Sequence, residues 1–166
     1  VEIYTDESRT ESKATFCMLR QQAKNGDPDS TYDSLADFIA PKDSGVKDYL
    51  GMFAVSCFGA DEAAMIHEKA GDDYTKIMVQ ALADRFVEAF AEAVHRKMRI
   101  DTWGYAPEED VSHADMLKIK YQGIRPAPGY PSQPDHTEKP VMWDLCEVEK
   151  HTGITLSDSY SMMPAS

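Results

Sequence analysis

Arg125 opens the stretch RPAPGYP, residues 125–131, and its neighbours limit what it can do. Its guanidinium is a planar fork of donors suited to a carboxylate. Pro126, Pro128 and Pro131 each fix their own φ and push Arg125, Ala127 and Tyr130 toward extended geometry, so the loop is largely ordered before any ligand arrives. The prolines also lack donors, which leaves the N–H groups of Ala127, Gly129 and Tyr130 as a sparse set. Gly129 lets a ligand approach the main chain closely, and Tyr130 offers an aromatic face with a polar tip. Together they suit a small amphoteric ligand. The same residues also suit a rigid connection, with Arg125 in a surface ion pair and Tyr130 packed on the core.

Asp84, Glu88 and Glu92 recur every four residues and form an acidic row on one face of a predicted helix. Like charges at this spacing repel by about 0.2–0.5 kcal/mol per pair, and the row also suits a solvated face on which Glu88 meets Arg85 and Glu92 meets Arg96. The five histidines show no HExxH or similar spacing, and Cys17, Cys57 and Cys146 form no CxxC pair. No metal held by this chain, no disulfide and no catalytic nucleophile is expected, and the thiols are read as buried or inert.

The elements that must position these groups are legible to different degrees. VEIYTD alternates as a half-buried strand, and DYLGMFAVSCF, residues 48–58, is a mostly apolar run expected to be a central strand. Residues 25–31, NGDPDST, are a turn cluster. ADEAAMIHEKA reads as a short helix stopped by Gly71. A long helix is predicted from Asp73 to Arg99, with Met78, Leu82, Phe86, Phe90, Val94 and Met98 as its apolar stripe. Ser112 and Asp115 form a capping pattern that opens HADMLKIK. One helix of about three turns is expected to follow Pro140 and end at Gly153, with ITLSDSYSMM closing on a strand. The fold class is α+β, an antiparallel-rich twisted sheet with flanking helices, in a single domain over residues 1–166.

Composition narrows the functions. Seventeen basic against 29 acidic residues give a net charge of −12, with no basic cluster to reverse it, so nucleic acid is not an expected partner. No apolar run approaches the roughly 18 residues of a membrane span, and the first residues lack the signature of a secretory signal. The reading is a cytoplasmic chain with no membrane partner.

RPAPGYP followed by HTEK at 136–139 resembles the signature of the activation domain of cobalamin-dependent methionine synthase. DESRT, LRQQ, SLADFIAP, SGVKDYLGMFAV, DDYTKIMVQALADRFVEAFAE, WGYAPEE, YQGIRP and EVEKHTG stand in the family's order along the whole chain. The resemblance implies an S-adenosylmethionine-binding module of a methyltransferase that moves a methyl group from methyltetrahydrofolate to homocysteine through cobalamin. Oxidised cob(II)alamin, held by a neighbouring cobalamin-binding module of the same chain, is repaired with a methyl from S-adenosylmethionine. The accompanying electron comes from a flavoprotein, flavodoxin or a methionine synthase reductase. Zinc is implied only for the full-length enzyme's substrate modules.

By the same resemblance, Arg125 binds the donor's carboxylate, and the loop at Ala127, Gly129 and Tyr130 binds its polar groups. Glu88 lies near the sulfonium, and Asp84 faces the cobalamin module. Where some relatives carry a further acid before YQGIRP, this chain has Ile119. The family's upstream aspartate and downstream tyrosine contacts have no counterpart in these residues, so the chain is expected to be an internal fragment of the domain. Two other classes remain: an interaction module with a purely structural loop, and a stand-alone methyltransferase. The glycine-rich strand-to-helix loop usual in the latter is missing.

Overall fold

Alternation at the N-terminus does produce a strand. In the computed structural model, which describes residues 1–23 and 29–164, β1 (Glu2–Tyr4) pairs antiparallel with β2 (Ser12–Thr15). Glu2 faces Thr15, Ile3 faces Ala14, and a bulge shifts Tyr4 onto Ser12. The Val1 backbone nitrogen and carbonyl close the ladder on the backbone of Phe16, a buried core residue. The turn expected at 25–31 falls largely outside the described residues.

The chain forms two compact units: residues 1–54 with 126–161, and residues 55–125 with 162–166. In the first unit, Phe16, Val148 and Ile154 are the buried apolar residues among those described. Buried Glu138 accepts the Cys17 N–H at 2.8 Å, and the Trp143 indole donates to the Ile154 carbonyl at 2.9 Å. Ser34 caps a short 3₁₀ turn, Leu35–Phe38, in a reciprocal capping box with Asp37.

The single helix expected after Pro140 is two pieces, α4 (Lys139–Cys146) and α5 (Val148–Thr152). Glu147 sits between them at φ 47°, a left-handed conformation that interrupts the helix, and its carboxylate pairs with Lys150 and His151 beyond the break. Gly153, at φ 75°, ends α5 as expected. ITLSDSYSMM is likewise not one strand. Between β3 (Thr155–Leu156) and β4 (Met162–Met163) the chain turns, with the Ser157 N–H donating to Ser161 O, the Ser161 N–H donating to Ser157 Oγ, and Tyr160 at φ 60°. Serine hydroxyls at this spacing offer the backbone turn partners that outcompete an extended ladder.

In the second unit, α1 (Ala60–Lys69) packs on α2 (Asp73–Lys97). Asp72 caps α2 by accepting the Thr75 N–H, and Ser112 caps α3 (His113–Met116) by accepting the Asp115 N–H, as its spacing predicts. The apolar stripe of α2 is largely exposed: Met78, Leu82, Phe86 and Phe90 lie open, Phe86 at 68%. Within the unit, α2 buries Val87 and His95.

The run 48–58 forms no strand. Its apolar pattern signals burial, but a strand also needs a ladder partner. Here the Tyr49 N–H is taken by its neighbour Asp48, whose other oxygen accepts from Ala40. The class is α+β, with antiparallel pairing and helices, as expected. No helix among the described residues is long and apolar enough to cross a membrane.

Candidate functional site

Polar groups in a helix interior are costly unless partnered, and the last turns of α2 collect them. Glu92, His95 and Arg99 lie at i, i+3 and i+7, one face of the helix. Beyond Lys97 the helix widens into a π turn, Met98–Thr102, in which the N–H groups of Trp103 and Gly104 both donate to the Met98 carbonyl. Ala106 then donates to the Arg99 carbonyl, which folds WGYAPEE back and delivers Glu109 to Arg99. The Arg99 Nε and Nη2 donate to the two Glu109 oxygens at 2.6 and 2.7 Å, with the side chains 0% and 4% exposed. The pair holds the Glu109 carboxyl below its ordinary range, chiefly through the hydrogen bond, and raises the Arg99 pKa.

Tyr121 lies on this pair. The Arg99 guanidinium carbon is 3.9 Å from its ring centroid, and the His95 ring meets it edge-on at 5.1 Å. His95 in turn receives Arg125: the Arg125 Nη1 donates to His95 Nδ1 at 3.0 Å, which makes His95 a neutral imidazole with its proton on Nε2. Burial, then the charges of Arg99 and Arg125, push its pKa down to about 4. The Arg125 Nη2 pairs with Glu92 Oε1. Burial opposes the Arg125 charge, yet Glu92 outweighs it and lifts the pKa, with smaller contributions from Tyr121 and Glu88. The hydrogen bond to Arg125 lowers the Glu92 pKa against its own burial. Arg125 is thus in an ion pair, but a partly buried one, its side chain 23% exposed. The expected Glu92–Arg96 pairing does not form, because Arg125 takes the carboxylate.

The proline loop after Arg125 belongs to the first unit. Its donors are mostly spent internally: the Gly129 N–H donates to Gln133 O at 2.7 Å, the Tyr130 N–H to Ala127 O at 3.2 Å, and Gln133 returns a bond to Tyr130 O. Of the three N–H groups counted from sequence, that of Ala127 alone has no acceptor among the described residues. Gly129 is needed for two reasons: its φ is +105°, and a Cβ there would stand 2.7 Å from the His136 ring. Tyr130 is 58% exposed rather than packed on a core.

Glu88 and Asp84 lie exposed on α2, Glu88 close enough to contribute to the field at Arg125. Ile119 is exposed at φ 56°, with no acid in its place. All three cysteines are free; Cys17 is exposed rather than buried. Among the described residues no group of His, Cys, Asp or Glu could hold a metal ion.

Residues 1–166 match the family described as vitamin B12 dependent methionine synthase, activation domain. The chain belongs to this family. A crystal structure of the MetH reactivation domain bound to AdoHcy superposes with a TM-score of 0.92 at 51% identity, covering 98% of this chain. This activation-domain chain spans half the length of that solved chain. His95, Tyr121 and the Arg99–Glu109 pair have no place in the sequence analysis, and Glu92 stands there only in the acidic row, not as the partner of Arg125. The signal that could have found them is the single helical face shared by 92, 95 and 99.

Proposed function

We propose that this chain is the S-adenosylmethionine-binding part of the reactivation module of cobalamin-dependent methionine synthase, a portion of a longer domain. It presents the donor's methyl group for reductive methylation of cob(II)alamin in a neighbouring module of the same chain. It thereby supports methyl transfer from methyltetrahydrofolate to homocysteine, with a flavoprotein supplying the electron. The observation that carries this reading is the AdoHcy-bound relative, 51% identical over nearly the whole chain. AdoHcy is what remains of S-adenosylmethionine once its methyl has gone.

The residues present fit such a ligand chemically. Arg125 keeps donors for a carboxylate, the Ala127 N–H has no competing acceptor among the described residues, and the Tyr130 ring is open for stacking. The exposed Glu88 carboxylate favours a cationic sulfonium. That charge vanishes as the methyl leaves, so Glu88 serves binding and orientation rather than rate. Cobalamin, when bound in its own module, supplies the cobalt that accepts the methyl, and Asp84 lies on the face of α2 offered to that module.

The test is ligand binding by calorimetry on the intact protein. Losing a bidentate, charge-assisted contact costs about 1.5–3 kcal/mol, so Arg125→Ala weakens AdoHcy about 10- to 100-fold. Arg125→Lys recovers only part, lacking the planar fork. Glu88→Gln weakens S-adenosylmethionine but not AdoHcy, which has no sulfonium charge. Unchanged AdoHcy affinity in Arg125→Ala would remove Arg125 from the site.

A further inference from the structure

An arginine has two edges on which a carboxylate can sit with two bonds: the end formed by Nη1 and Nη2, and the side formed by Nε and one Nη. The two arginines of this network use different ones. Arg99 spends its Nε/Nη2 side on Glu109 and is fully buried, which leaves no approach for a ligand. Arg125 spends its Nη end, Nη1 on His95 and Nη2 on Glu92, and among the described residues nothing accepts from its Nε–H. Its side chain is partly exposed.

We propose that Glu92 is a positioning residue for ligand binding: with His95 it clamps the Nη end of Arg125 and so presents the Nε side to the carboxylate of an amino-acid-bearing ligand. This rests on the assignment of Arg125 to the donor's carboxylate. The second oxygen of Glu92 is buried without a hydrogen-bond partner among the described residues. A carboxylate left half-satisfied out of water is costly, and Arg125 is the group that compensates it. His95 is held for the same task, its ring braced against Tyr121, which is braced by Arg99. The clamp matters because a free arginine must give up its rotamer freedom to bind, and a clamped one has already done so.

The experiment compares two ligands on the intact protein: AdoHcy, which carries the carboxylate, and 5′-methylthioadenosine, which does not. Glu92→Ala weakens AdoHcy about tenfold, the scale of one lost preorganised charged contact, and leaves methylthioadenosine unchanged. Glu92→Gln, which keeps an acceptor for Nη2, recovers most of the loss. AdoHcy bound by Glu92→Ala as tightly as by wild type overturns the proposal, and tighter binding identifies Glu92 as a competitor for Arg125 instead. Equal weakening of both ligands also overturns it, since that is a loss of fold. Should Glu92→Ala melt below the assay temperature, the two ligands are compared on the same variant at a lower temperature, with the same outcomes deciding. Arg125→Ala separates the two claims: if it leaves AdoHcy affinity intact, the carboxylate assignment falls whatever Glu92 does.

Discussion

His95 illustrates how one residue's charge state is set by everything around it. Arg125 and Arg99 are both close, Glu92 and Glu109 partly offset them, and Tyr121 closes the ring's edge. An unfolded histidine takes a proton near 6.5, whereas folded His95 does so only at about 4. Between those values the unfolded state binds more protons, so stability falls as pH drops from 6.5 toward 4 and is full above 6.5. The urea midpoint of the wild type is therefore expected to fall between pH 7 and pH 5 by more than that of His95→Gln. Equal slopes would place the His95 proton elsewhere. Below pH 4.5 the lowered carboxyls of Glu92 and Glu109 add losses of their own, so the histidine contribution is read above that value.

At the scale of elements, the end of α2 and the WGYAPEE return form one device. The π turn lets the chain leave the helix and come back within a few residues, and Gly104 takes the φ of +72° that the reversal requires. Glu109 fastens the return to Arg99. Breaking a buried ion pair from one side leaves an uncompensated charge, at a cost of about 3–5 kcal/mol. Glu109→Ala is expected to lose that much in denaturant unfolding and to release Tyr121, and Glu109→Gln to lose less. The helix itself was readable from its apolar stripe and from acids leading and bases closing. The π turn was not, because it depends on where Arg99 finds a partner ten residues on. The break at Glu147 was equally hidden, since no glycine or proline marks it.

The molecule as a whole carries an apolar stripe in the open. Tyr74, Ile77, Leu82, Phe86 and Phe90 are each more than half exposed on α2, and Ile66 is so on α1. A contiguous apolar face of this kind marks a surface that another surface covers. The 166-residue chain by itself is expected to self-associate despite its charge of −12, visible as a concentration-dependent sedimentation coefficient. Phe86→Lys with Phe90→Lys is expected to suppress the association while leaving helical circular dichroism unchanged. A wild-type chain that stays monomeric across the concentration series would show that the stripe is tolerated in water.

The family, the α+β class, the long helix and the residue types gathered at RPAPGY were legible in the residues, because each rests on local periodicity or on a short unbroken motif. Which partner each charged group meets was not. Glu92 had Arg96 within one helical turn, yet it pairs with Arg125, thirty-three residues away. The loop's N–H groups looked free by proline count, yet Gly129 and Tyr130 spend theirs on neighbours that only the folded turn brings round. The apolar stripe of α2 was legible as a pattern but not as a buried one. Periodicity reports which residues share a face, whereas burial and pairing depend on what the rest of the chain places against it.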